Sequence, residues 1–196
     1  MALSFLPNTL RIRRTDLNLS NIIRVLELGA GTGIIGIVLL LLGAEVHFTD
    51  KEVLVPLIQH NVELNASHIN KNKFKIFELM WGETKVQDKY DIIVVCDCVY
   101  ESKDMWMPLA DCLNEVATQD TDIILSYELR SNKDAAFFPH ISKTFSIEKV
   151  LNTQLDEFWQ SPDIGVFHLK KRTEHTTNQG GDETNVLSDL KRKERK

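Results

Sequence analysis

Val25-Leu26-Glu27-Leu28-Gly29-Ala30-Gly31-Thr32-Gly33 decides the fold. A four-residue strand with an acid at its third place runs into a turn with glycine at every second place, and a helix is expected to open at Ile34. Glycine permits positive φ and lets backbone pass where a Cβ would collide. The turn is therefore expected to bring bare N–H groups and a helix N-terminus close to a ligand. Gly31-x-Gly33-x-x-Gly36 also satisfies the dinucleotide fingerprint, so two nucleotide readings stand at this point.

Outward from the turn, Ile34 to Ala44 is almost wholly apolar and reads as a buried helix. Glu45 to Thr49 reads as a second strand ending at Asp50, 21 residues after Gly29. A βαβ unit places a ribose-binding carboxylate at that point. Asp50 is the candidate for a ribose diol, and capping of the turn at Lys51 is the plain alternative. A charge-assisted pair of hydrogen bonds there is worth about 1.5–3 kcal/mol.

Further along, Lys51 to Ala66 has helical apolar spacing, with Pro56 tolerable near its start. Phe74 to Glu78 alternates weakly as a third strand, and Asp91 to Cys96, β-branched throughout Ile92 to Val95, is expected to be covered on both faces. Met105, Leu109, Leu113, Val116 and Ala117 outline a helix, and Asp122 to Tyr127 forms the next strand. A short helix is expected over Asn132 to Lys143, then an antiparallel pair, Phe145 to Val150 and Ile164 to Lys170. This alternation predicts an α/β domain: a mostly parallel sheet with helices on both faces and a C-terminal antiparallel pair.

The 196 residues suffice for one domain with a real core. A net charge of -5 disfavours a nonspecific grip on nucleic acid. The three cysteines have no metal or disulfide spacing, and Cys96 and Cys98 are expected to face opposite ways. The six histidines show no ligand spacing, and no metal site is expected. Apolar residues precede the first arginines at the N-terminus, the wrong order for a secretory signal. From Thr173 the chain turns polar, its five acids balancing five bases, and a disordered tail is expected there. Its last residues could alternatively serve nuclear import.

Ligands of open α/β sheets bind outside the carboxyl ends of the strands. That rule gathers Glu27, the glycine turn, Asp50, the Trp81-Gly82-Glu83 loop, Asp97, Tyr100, Tyr127 and Glu128 on one rim. Asp97 could orient an incoming amine or be a turn acid. Trp81 could cover an adenine face or fill core.

With these residues on the page, the chain resembles the seven-β-strand S-adenosylmethionine-dependent protein-lysine methyltransferases of the methyltransferase-like family. The matching pieces are Glu27 to Gly33, Thr49-Asp50, Trp81-Gly82-Glu83 and Asp97-x-x-Tyr100, over roughly residues 22 to 172. Asp97-Cys98-Val99-Tyr100-Glu101, Ser126-Tyr127-Glu128-Leu129-Arg130 and Ser161-Pro162-Asp163-Ile164 point to the branch acting on a valosin-containing AAA ATPase. The resemblance implies a Rossmann-like sheet over 22–172, a lead-in over 1–21 and a tail over 173–196. It implies that Glu27, Gly29, Ala30, Gly31, Asp50, Trp81, Cys96 (through its backbone) and Tyr100 hold S-adenosyl-L-methionine. Asp97, Tyr100 and Glu128 would then serve the transfer of methyl to a lysine ε-amine.

The implied partner is a protein substrate, an AAA ATPase or another chaperone-like protein, met by a monomer in the cytoplasm or also the nucleus. Relatives carry a longer segment before their first strand, with a tryptophan closing the cofactor pocket. Here about two dozen residues precede that strand and none is Trp. The rival expectations are a partner-binding module that keeps the fold without transferring methyl, and a nicotinamide-dependent oxidoreductase, for which no catalytic Tyr-x-x-x-Lys stands in the sequence.

Overall fold

The computed structural model describes residues 22–83, 86–99, 103–128, 136–161 and 163–173. The lead-in, the tail from 174 and Tyr100 lie outside the described residues. Strands β1 (Arg24–Leu28), β2 (Glu45–Asp50), β3 (Phe74–Glu78), β4 (Ile92–Cys96), β5 (Asp122–Glu128), β6 (Phe145–Lys149) and β7 (Ile164–Lys171) form one sheet in the order β3-β2-β1-β4-β5-β7-β6. The first five strands pair in parallel, whereas β7 runs antiparallel to both β5 and β6. The mostly parallel sheet with an antiparallel end is as the sequence predicts.

Helices α1 (Ile34–Leu41), α2 (Val55–Leu64), α3 (Lys103–Val116) and α4 (Phe137–Ile141) cover it. Strand alternation divides the core in two. Val25, Val46, Val94 and Ile124 face α1 and α2. Leu26, Leu28, Ile93 and Val95 pack with α3 and α4 on the other face. Central parallel strands are dry on both sides, which is why β4 reads Ile-Ile-Val-Val without alternation.

Several boundaries differ from expectation for local reasons. Helix α1 stops at Leu41, where Gly43 takes φ 96 and turns the chain into β2. Helix α2 begins only at Val55, after a 3-10 turn over Glu52–Leu54, with Pro56 in its first turn. Helix α3 carries Pro108 inside it. Its other end is held from outside: Lys171 Nζ donates to Asn114 O at 2.7 Å and Ala117 O at 3.2 Å, a cation on the carbonyls of a helix C-terminus. Of the helix expected over 132–143, the described part runs from Phe137 to Ile141.

Since β1 connects to β2 on one side while β4 lies on the other, the topology switches between β1 and β4. A crevice opens outside their carboxyl ends there. Among the described residues, no helix is long and apolar enough to cross a membrane.

Candidate active site

The glycine turn closes the tip of β1 with three left-handed residues, Gly29 at φ 65, Gly31 at φ 57 and Gly33 at φ 75. Its N–H groups are less bare than the spacing suggests. Ala30 N donates to Thr49 O at 2.9 Å and Gly33 N to Ala30 O at 2.8 Å. Gly31 N donates to Asp50 Oδ2 at 2.7 Å. A phosphate cradle needs unspent N–H groups; this turn uses at least three of its own to hold its shape. It offers shape and a carboxylate instead, which suits a cationic nucleoside better than a pyrophosphate.

Asp50 takes the capping role foreseen for it and adds one that the spacing does not signal. Oδ1 accepts the Lys51 N–H at 2.7 Å, capping the following turn, while Oδ2 ties down Gly31. A carboxylate has about four acceptor sites, so each oxygen retains one for a ribose hydroxyl. A Cβ added at Gly31 would meet nothing within 4 Å, so the turn faces open space. At Gly29 the opposite holds: a Cβ would lie 2.6 Å from Cys98 Sγ and 3.2 Å from the Trp81 ring. Trp81 thus lies against the turn, half-buried and packed on the core that holds Cys98.

Glu27 supports this site from beneath. It is 2% exposed, and its Oε2 accepts the Gly36 N–H at 3.1 Å. Burial pushes its pKa up to about 8 against the opposing pull of that N–H, and the charge of Asp50 adds to the rise. In this geometry Glu27 braces the start of α1. Gly36 makes the close approach possible, since a Cβ there would lie 2.2 Å from the Phe48 ring. The third fingerprint glycine therefore serves helix–strand packing.

Across the crevice, β4 ends at Cys96, whose Sγ lies 3.3 Å from Ser126 Oγ. Asp97 follows at φ 55, the one non-glycine residue with positive φ among those described, and it is exposed. Its N–H donates to Ser126 O at 2.9 Å, which extends the β4–β5 ladder past the strand end. A left-handed non-glycine residue costs about 1–2 kcal/mol, and Asp tolerates it better than most.

The turn at Asp97 also sorts the cysteines. Simple alternation would put residues two apart on one face. Because Asp97 turns the chain, Cys96 packs toward one core and Cys98 toward the other. The two do face opposite ways, but the cause is this turn and not strand pleating. Cys98 Sγ reaches the carbonyls of Cys96 at 3.3 Å and Leu28 at 3.4 Å, fastening the β4 tip to the β1 tip. Nothing in the strand periodicity signals this contact. Glu128 ends β5 on the same rim, half-exposed.

The structure thus brings Gly29 to Gly31, Asp50, Trp81, Cys96, Asp97 and Glu128 to one rim, with Glu27 beneath it. Tyr100 lies outside the described residues. Among these residues no group of three or more His, Cys, Asp or Glu could hold a metal ion.

Comparison with known proteins bears on this arrangement directly. Residues 1–144 match the family model described as lysine methyltransferase. The chain belongs to the lysine methyltransferase family. Protein N-lysine methyltransferase METTL21A of Danio rerio is 33% identical over 156 residues, covering 78% of this chain and 68% of that protein. EEF1A lysine methyltransferase 3 of Xenopus tropicalis is 34% identical over 137 residues, covering 68% and 60%. The chain thus spans about two thirds of the length of these relatives. The chain is also similar in fold to a TehB-like SAM-dependent methyltransferase from Corynebacterium glutamicum, with TM-score 0.60, 15% identity and coverage of 85% and 96%. S-adenosyl-L-methionine is the cofactor this family uses, and the open face at Gly31, the spare acceptors of Asp50 and the ring of Trp81 fit a nucleoside there.

Proposed function

We propose that this protein methylates the ε-amine of a lysine in a protein substrate. The observation that carries the reading is Asp97: an exposed carboxylate held at φ 55 beside the glycine turn, at the topological switch of the sheet.

Asp50 would hold the ribose hydroxyls, Trp81 would cover the base or an edge of the pocket, and Gly29 to Gly31 would let the backbone approach closely. S-adenosyl-L-methionine, when bound, supplies an electrophilic sulfonium methyl. The chain's own residues must then deliver a neutral amine in line with it. A free lysine has a pKa near 10.4, so it arrives protonated. Asp97 attracts that ammonium across the rim and orients it. Its proton would leave to water, so that the neutral amine held beside Asp97 faces the methyl that the bound cofactor would supply. Alignment of the two reactants supplies most of the acceleration, since effective molarities of about 10⁵ M and above are available to well-oriented pairs. Glu128 adds negative charge along the same rim. Tyr100, three residues past Asp97, is assigned by resemblance to line the lysine path.

Two substrates are proposed at finer grain. The sequence motifs support a valosin-containing AAA ATPase, and the name of the Xenopus relative supports EEF1A. A monomer acting in the cytoplasm, also entering the nucleus, is the proposed setting. The test is mass spectrometry of both candidates and of a cell extract after incubation with cofactor. A methyl added to lysine by wild type, and absent with Asp97→Asn, supports the reading. Cofactor binding without methyl transfer to any protein would favour the non-catalytic module instead.

A further inference from the structure

The connection between β6 and β7 is long for a hairpin, running from Val150 to Asp163, and the topology sets it beside the active site. Val150 N donates to Val166 O at 2.8 Å, and Ile164 pairs with Glu128 at the carboxyl tip of β5. Both ends therefore sit on the rim that carries Asp97. Between β4 and β7 lie two strand spacings, about 10 Å.

The connection is internally braced. Leu155 is 7% exposed and anchored in the core. Gln160 Nε2 donates to Asn152 O at 2.9 Å, and Leu151 N donates to Gln154 Oε1 at 3.0 Å. Asp156 Oδ1 accepts the Phe158 N–H at 2.9 Å. On this built loop Phe158 stands 82% exposed and Leu151 62% exposed. The charged residues between 151 and 163 are Asp156, Glu157 and Asp163, all acids and all exposed. A compact loop packed by its own side chains, holding large apolar groups in water among like charges, is a binding surface in form.

From these observations we infer that the β6–β7 connection is the docking surface for the substrate segment that carries the target lysine, and that it selects a basic segment with an apolar residue; this rests on the function proposed above. An extended peptide spans about 3.3–3.6 Å per residue, so 10 Å corresponds to about three residues. That reach brings the substrate chain to the start of β7, and Phe158, on the loop that leads into β7, takes an apolar side chain a few residues from the target lysine. Glu157 and Asp163 attract Lys or Arg on either side of it. Because the loop is already ordered, docking loses little conformational entropy.

The test uses two fluorescein-labelled peptides with one central lysine. One has arginines and a leucine three and four residues from it; in the other, glutamates replace the arginines. Anisotropy is read for wild type, Phe158→Ala and the double variant Glu157→Gln/Asp163→Asn, which leaves the Asp156 turn intact. Wild type is expected to bind the basic peptide at least tenfold tighter than the acidic one. Phe158→Ala should weaken it about tenfold or more. The double variant should weaken it severalfold and flatten its salt dependence. S-adenosylhomocysteine affinity, read by calorimetry, should be unchanged in both.

Equal peptide binding by all three proteins would overturn the inference, as would a wild-type dimer that Phe158→Ala dissociates without affecting the peptide. Methyl transfer to the basic peptide is scored separately. If wild type binds but never methylates, the proposed activity fails while the docking surface stands; if it methylates with binding indifferent to Phe158 and the acids, the reverse holds.

Discussion

Gly31 donates its N–H to the Asp50 carboxylate at 2.7 Å across 19 residues of chain, tying the glycine turn of β1 to the tip of β2. One acid thus shapes the pocket as well as offering acceptors to what enters it. Asp50→Ala should weaken S-adenosylhomocysteine binding about ten- to a hundredfold. It should also lower stability by about 1 kcal/mol, because Gly31 loses its acceptor. Calorimetry and urea unfolding on the same sample separate the two effects. Loss of stability with full affinity would reduce Asp50 to a structural cap.

The two glycines that flank the helix start should behave differently. A Cβ at Gly36 would enter the Phe48 ring and the Glu27 carboxylate, at 2.2 and 2.5 Å, so Gly36→Ala should cost about 3 kcal/mol or more. At Gly31 there is room, and Gly31→Ala should cost only the left-handed conformation, about 1–2 kcal/mol. Its larger effect should fall on cofactor affinity, since the new methyl projects into the open face. Equal stability losses in the two variants would contradict this placement.

Glu27 makes stability depend on pH. Its folded-state pKa is about 8 against an ordinary 4.5, so the folded protein holds a proton that the unfolded chain releases. The associated stability is complete below about pH 4.5 and is lost as pH rises toward 8, a change of up to about 5 kcal/mol. Glu27→Gln, which cannot ionise, should flatten the Glu27 contribution over that range. Urea unfolding at pH 5, 6.5 and 8 reads the difference. Parallel curves for the two proteins would show that Glu27 ionises freely when folded.

The cysteines should be modified in a set order. Cys98 is 2% exposed with its thiol pKa pushed up by burial, and burial holds Cys112 up at about 12. Cys96 is half-buried at the rim. Iodoacetamide under native conditions should therefore label Cys96 first, as read by peptide mass spectrometry. S-adenosylhomocysteine should slow that labelling if Cys96 borders the cofactor. Early labelling of Cys98 would contradict the packing of its sulfur against Gly29.

Much of this site could be read along the chain because its parts lie where local signals are strong. Alternating glycines after a buried strand, and an acid at the next strand end, are positional cues, and both elements stand where the cues put them. Contacts between distant segments leave no such cue. Cys98 fastens to Leu28 across 70 residues, its sulfur packed where a Cβ at Gly29 would stand. Glu27 reads as a rim acid by its spacing, yet pairing with Gly36 draws it beneath the helix. Pro108 breaks the propensity rule within α3, where tertiary packing outweighs a missing hydrogen bond.

The most direct test of the account is methyl transfer by Asp97→Asn, a substitution that tolerates the left-handed backbone and removes only the charge. Cofactor affinity should stay within about threefold of wild type, while methyl transfer to a lysine-bearing substrate falls about a hundredfold or more. Undiminished transfer by Asp97→Asn would contradict the assignment of that carboxylate to the amine.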